Sequence, residues 1–199
     1  MSRALPPLAA ALLPLVGGQV CLHSAMAGLR MGAPLLALRD GHSAAAVGVL
    51  LALFAAAPIV LALVAGRMAD RHGYHRPVRV AVVLTLAGGA LAALAAGLAG
   101  PWRYAGLCAA ALLSGAGANF GLIAIQRTAG RQAHDATDLK RIFSWLGLAP
   151  ALSNVAGPVL AGLLIDAAGF GVAFVVLAAL PLGATLWARS EEHTSELQS

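Results

Sequence analysis

The chain has 199 residues, of which 60% are hydrophobic and only 11% charged, with a mean hydropathy of +0.84. An ordinary soluble domain is about 45–50% apolar and about 25% charged, so this composition excludes a soluble globular domain, intrinsic disorder and, despite a net charge of +5, a nucleic-acid-binding module. Cys21 and Cys108 stand in apolar runs with no partner at ligand spacing, which indicates no disulfide framework, no metal site and no cofactor; the chain reads as a membrane protein.

A helix needs roughly 20 apolar residues to cross about 30 Å of hydrocarbon. Six stretches meet or approach that length: Leu8 to Leu38, Ala44 to Ala65, Val78 to Gly100, Ala105 to Ile125, Ile142 to Ile165, and Phe170 to Trp187. Behind Arg3, Leu8 to Val16 has the look of a signal-peptide core. The apolar run continues well past it, however, and five more spans follow, which favours a retained first helix.

Beyond the last span the composition changes. Glu191, Glu192 and Glu196 are the only glutamates, and all fall in the closing run RSEEHTSELQS, Arg189 to Ser199. That run is either a polar cytoplasmic tail or a non-native scar. It resembles the in-frame translation of a sequencing-library adapter, and we read it as such a scar, to be set apart from the fold. The expected domains are then a six-helix bundle over 1–188 and a tail over 189–199, with the gene cut off between them. Removing the tail takes one Arg and three Glu from a net charge of +5, leaving +7.

Basic residues set the orientation. With the N-terminus cytoplasmic, the inside holds Arg3, Arg67, Arg71, Arg76, Arg79, Arg127, Arg131, Lys140 and Arg141, and the outside only Arg39 and Arg103. Nine against two predicts a multi-pass protein of the plasma (inner) membrane with its N-terminus inside.

The second span exits through AGRMADRHG, Ala65 to Gly73, and the fifth through AGLLIDAAG, Ala161 to Gly169. Both read A-G-x-x-x-D-x-x-G, and each follows a mid-span proline, Pro58 or Pro158. One copy is expected inside and the other outside, three helices apart, which is the mark of a 3+3 inverted-topology repeat. The outer copy replaces Arg67, Arg71 and His72 with Leu163, Ala167 and Ala168, as the positive-inside bias demands. Glycine permits close helix approach and the final turn, and Asp can cap a helix end or pair with Arg. An ordinary tight loop accounts well for the outer copy and less well for the basic cluster around Asp70.

GRMADRHGYHR resembles the cytoplasmic loop signature of the major facilitator superfamily, which joins the second and third helices. Gly66, Asp70, Arg71 and Gly73 hold signature positions; Tyr74 and His75 replace the usual basic pair, and Arg76 keeps a positive charge. The resemblance implies an all-α fold, this chain being its N-terminal six-helix half, and a gating role for Asp70 and Arg71. SNVAGPVLAG resembles the fifth-helix motif associated with antiporters: Gly157, Pro158 and Gly162 fit, while Ser153 and Ala161 stand where Gly is usual. In the fourth helix LLSGAGA keeps Gly115 and Gly117, but Ala111 stands where an Arg is frequent, which speaks against proton coupling through that position.

Candidates for solute binding are polar groups inside spans. Gln19, His23, Met26 and Arg30 follow i, i+4, i+7, i+11 spacing and so share a helix face. An Arg at the bilayer centre costs about 2.5–3.5 kcal/mol, so it faces a cavity or partner unless it snorkels to the interface. Both readings of Arg30 stay open. His23 reads either as a bonded bundle residue or as a proton carrier. Asn119, Gln126 and Asn154 either line the same cavity or bond between helices. No carboxylate lies clearly within a span: Asp40, Asp70, Asp135, Asp138 and Asp166 are all terminal or in loops.

The leading expectation is a secondary transporter of a small solute. The Gly-Pro motif favours efflux or exchange, and Arg30 favours uptake of an anionic metabolite. Its expected partners are the lipid bilayer, a small-molecule substrate and the missing C-terminal six-helix half. An intramembrane enzyme fares poorly: Ser114 lacks a G-x-S-x-G frame, and H-E-x-x-H is impossible without Glu outside the tail. The alternative is a stand-alone six-helix channel or a self-associating half-transporter.

Overall fold

The computed structural model describes the backbone of residues 7–132 and 136–196 and the side chains of 16–131, 137 and 139–182. The helices are α1 (Pro7–Arg39), α2 (Ala44–His72), α3 (His75–Ala96), α4 (Pro101–Gln132) and α5 (Ala136–Glu196). All five are long and apolar enough to cross a membrane. The first four expected spans fall one to a helix, and the fifth and sixth both fall in α5. The side chains of the closing run 189–199 lie outside those described.

α5 is not a straight rod. Gly169 breaks it at φ 84° and ψ 172°, a conformation open to glycine and strained for any residue with a Cβ. Both arms then meet α1. A Cβ built on Gly28 would touch Leu177 and the Gly157 carbonyl, and one on Gly32 would touch Phe174 and Ile165. In an unbroken helix Gly157 and Leu177 would be about 30 Å apart. The chain therefore doubles back at Gly169, between the fifth and sixth expected spans.

The second exit differs from its expectation as a loop. Helix α2 runs on through Arg71 and His72, and the reversal waits for Gly73 at φ 65°. Its 29 residues span about 44 Å, more than a hydrocarbon layer, so the last turns project beyond the apolar span with their basic side chains exposed. At the other end of α2, the Ser43 hydroxyl accepts from the Ala46 N–H at 3.2 Å and caps the helix.

α1 and α4 form the centre. The most apolar stretches of these two are 67% and 61% buried, against 11% in α2 and 17% in α5. The outer helices turn Ile59, Val60 and Leu63 (α2), and Val155, Val159 and Leu163 (α5), outward. Such a surface suits lipid, not water.

Small residues let the helices close on the central pair. Gly157 lies against the Ser24 carbonyl and Gly28 of α1, and Gly88 of α3 lies against Ser114 of α4. Pro58 has no N–H to give the Phe54 carbonyl four residues back. That freed carbonyl faces Gly115 of α4, where a Cβ would collide with it. A Cα–H contact is what such an orphaned acceptor can find within a membrane helix pair.

Candidate functional site

Asp70 sits one turn before the end of α2 and is half exposed. Its Oδ1 accepts from the Arg127 guanidinium and lies 3.6 Å from Arg131 Nη2. Both arginines come from the last turns of α4, four residues apart and so on one face. The sequence surrounds Asp70 with its own loop's basic residues, yet the structure supplies partners from another helix. Arg71 and Arg76 are exposed and, among the described residues, form no ion pair. The legible signal was the i, i+4 pair at the inner end of the fourth span.

Gly66 lies one turn earlier on the same face of α2. A Cβ there would sit 3.5 Å from Arg127 Nη2, an ordinary contact, so Gly66 lies directly beside the guanidinium that pairs with Asp70. Tyr74, just past Gly73, packs against a cluster of Ile125, Ala129, Ile142 and Leu146. Burial there pushes its phenol above the ordinary range. The α2–α3 turn is thus held against α4 by two exposed ion pairs, and against α4 and α5 by one half-buried ring. Exposed pairs are worth about 0.2–1 kcal/mol each, so they add little to stability.

The expected stripe on α1 divides. Gln19 is buried, and its Nε2 lies 3.0 Å from His23 Nδ1, at hydrogen-bond distance one helical turn along. The Gln19 Oε1 is buried without a partner and faces Gly121 of α4. Met26 belongs to the apolar core. Arg30 alone of the four is exposed, although Ala33 and Ala37 on the same face beyond it are buried. Measured along the helix from Arg39, Arg30 lies about 14 Å in, near half of a hydrocarbon layer.

The other candidates divide likewise. Asn119 is half-buried and its Nδ2 donates to the Pro58 carbonyl at 3.4 Å, tying α4 to α2 at the proline. Gln126 and Asn154 are exposed. Gly157 is buried in the α1 contact, Pro158 is half-buried beside it, and a Cβ on Gly162 would lie 3.6 Å from Met31 Cε. Ser153, one turn before Gly157, had no assigned role. Its hydroxyl serves the Ala149 carbonyl at 2.7 Å and the Val20 carbonyl at 3.1 Å, so it stitches α5 to α1 where Gly would only permit approach. Among the described residues no three His, Cys, Asp or Glu side chains gather as a metal site would require.

A family model described as the Major Facilitator Superfamily matches residues 15–199. The chain belongs to the Major Facilitator Superfamily. No curated protein and no solved structure matches it. Membership makes this a membrane protein of the major facilitator transporter type, and members of that superfamily are transporters, not enzymes. Its apolar helices are those of a multi-pass protein. Within that frame, Asp70 and its two arginines mark one end of the bundle, and Arg30, Gln126 and Asn154 are polar groups carried on its exposed surface.

Proposed function

We propose that this major facilitator chain works as a secondary transporter of a small solute, by efflux or exchange, with its six spans arranged as a 3+3 inverted repeat. The arms of α5 are the fifth and sixth spans in this reading. The observation that carries it is a pair of contacts in matching register. Gly66, Asp70 and Gly73 recur 96 positions later as Gly162, Asp166 and Gly169, and both final glycines have positive φ. Gly66 faces Arg127, and Gly162 faces Met31, the residue 96 positions before Arg127. One local geometry thus recurs at opposite ends of the bundle, as a twofold axis in the membrane plane requires.

The two copies differ in charge. Asp70 has Arg127 and Arg131, whereas the place corresponding to Arg127 beside Asp166 is Met31. Alternating access needs the two ends to exchange open and closed states at modest energy. Exposed ion pairs join Asp70 to α4 at one end, and the Arg103–Asp40 pair joins the α1–α2 turn to α4 at the other. Pairs this weak bias that exchange without trapping it. With the basic cluster inside, the Asp70 end is the cytoplasmic gate of a plasma (inner) membrane protein whose N-terminus is cytoplasmic.

Arg30 supplies the solute contact, aided by Gln126 and Asn154, on a surface that a second six-helix unit of the same polypeptide covers. An uncovered guanidinium about 14 Å from the helix end is costly in lipid, which favours a polar cavity over a lipid face. The same exposed surface also suits a second copy of this chain, the self-associating half-transporter. Counterflow in proteoliposomes tests the main reading. Arg30→Ala should abolish uptake or change its solute preference, and Asp70→Asn should slow exchange while insertion stays normal. Wild-type kinetics in both variants would remove it, and activity from a dimer of this chain alone would favour the copy-paired form.

A further inference from the structure

At the end of the bundle opposite Asp70, three chain reversals meet: α1 to α2, α3 to α4, and the break at Gly169. Between them lies a cavity of about 570 Å³ with Arg39, Asp40 and Arg103 at its polar wall and Leu36, Ala93 and Phe170 among its apolar lining. Glycines 97 and 171 also line it and leave room that side chains would take. Arg103 is pinned in place. Its Nη1 donates to Asp40 Oδ1 at 2.5 Å and its Nε to the Leu98 carbonyl at 2.6 Å. Arg39 lies 5.8 Å from the Phe170 ring centre and, among the described residues, has no carboxylate or carbonyl partner. Two guanidinium groups against one carboxylate leave the cavity with one uncompensated positive charge.

We propose that this cavity is a phosphate site. Guanidinium groups match phosphate through forked N–H donors, and a tetrahedral anion can take donors from two arginines on separate faces. The apolar lining accepts the organic part of a phosphate ester. Stacking on Phe170 holds the Arg39 head while leaving its N–H groups to a ligand. The cavity opens where the apolar spans end, at the depth of lipid headgroups, so the phosphate belongs either to a phospholipid or to a solute in the adjoining water. This site is separate from Arg30 and from the gate, and it does not depend on the transport reading.

The purified chain in neutral detergent tests it in two arms. Native mass spectrometry compares retention of phosphatidylglycerol with that of a neutral diacylglycerol, and calorimetric titration with inorganic phosphate measures the free anion. Preferential retention of the lipid alone assigns a headgroup site; saturable phosphate binding assigns a solute site; either supports the proposal. Arg39→Gln should weaken binding at least about tenfold, the size of one lost charge-assisted hydrogen bond, and Arg39→Lys should restore part of it. Asp40→Asn, which frees Arg103 and removes the competing carboxylate, should tighten binding. If Arg39→Gln fails to fold, the direction of the Asp40→Asn change decides: unchanged or weaker binding overturns the site. Binding in neither arm, or binding indifferent to Arg39→Gln, overturns it as well.

Discussion

Replacing Gly157 with Ala adds one methyl group where α5 crosses α1. The new Cβ would lie 2.6 Å from the Ser24 carbonyl oxygen, 2.9 Å from Ala27 Cβ and 2.9 Å from the Gly28 nitrogen. Two of the three are backbone atoms, which cannot rotate away. An ordinary carbon–oxygen contact begins near about 3.3 Å, so the helices must separate by about 0.7 Å. A gap of that size forfeits roughly a quarter to a half of the dispersion energy of each contact it opens. Overpacking of this kind costs about 1–3 kcal/mol. Ala is also a better helix former than Gly by about 1 kcal/mol, which would blur a comparison with wild type. Gly147 provides the control: it lies in the same arm of α5, is exposed, and has nothing within 4 Å of an added Cβ. The propensity gain is common to both variants and cancels. The Gly157→Ala chain should therefore unfold more easily than Gly147→Ala by about 1–3 kcal/mol, or about 5- to 150-fold in the folding constant. Helicity followed through an SDS titration of the detergent-solubilised chains measures the difference. Coincident midpoints would refute the close approach of α5 to α1 and, with it, the reversal at Gly169.

Asp70→Asn removes two exposed pairs and should cost only about 0.4–2 kcal/mol in the same titration, while slowing solute exchange far more. Arg30→Ala should leave the unfolding midpoint within about 0.5 kcal/mol of wild type, since the side chain is exposed, and show its effect in transport alone. Tyr74 gives a pH dependence with a defined sign. Burial raises its phenol above the ordinary value of about 10, so the unfolded chain loses the proton first and stability falls as pH rises through that value. Unfolding of Tyr74→Phe, followed across the same alkaline range, should show a shallower decline; an identical decline would mean that Tyr74 does not pack against the Ile125, Ala129, Ile142 and Leu146 cluster.

The sequence alone determined the membrane class, the order of the apolar spans and the reversals at Gly73 and Gly169, although α2 runs past its expected end at Ala65 to His72. These are local properties: apolar length makes a span, and glycine marks a turn that other residues resist. Gly73 and Gly169 could be matched from sequence because their motif carries its own spacing, and both have positive φ. Partners were not legible in this way. Nothing near Asp70 points to Arg127 and Arg131, some sixty residues along, and Asp40 is as silent about Arg103. The role of Ser153 also stays hidden until the Val20 carbonyl lies beside it. The periodicity that put Gln19, His23, Met26 and Arg30 on one face was correct as helix geometry, yet it could not say which neighbours cover that face. Tertiary packing decided it, burying Gln19 and Met26 and leaving Arg30 outside. Hydropathy is summed along a single helix, whereas burial and ion pairing depend on where other helices cross it, and only the assembled bundle fixes those crossings.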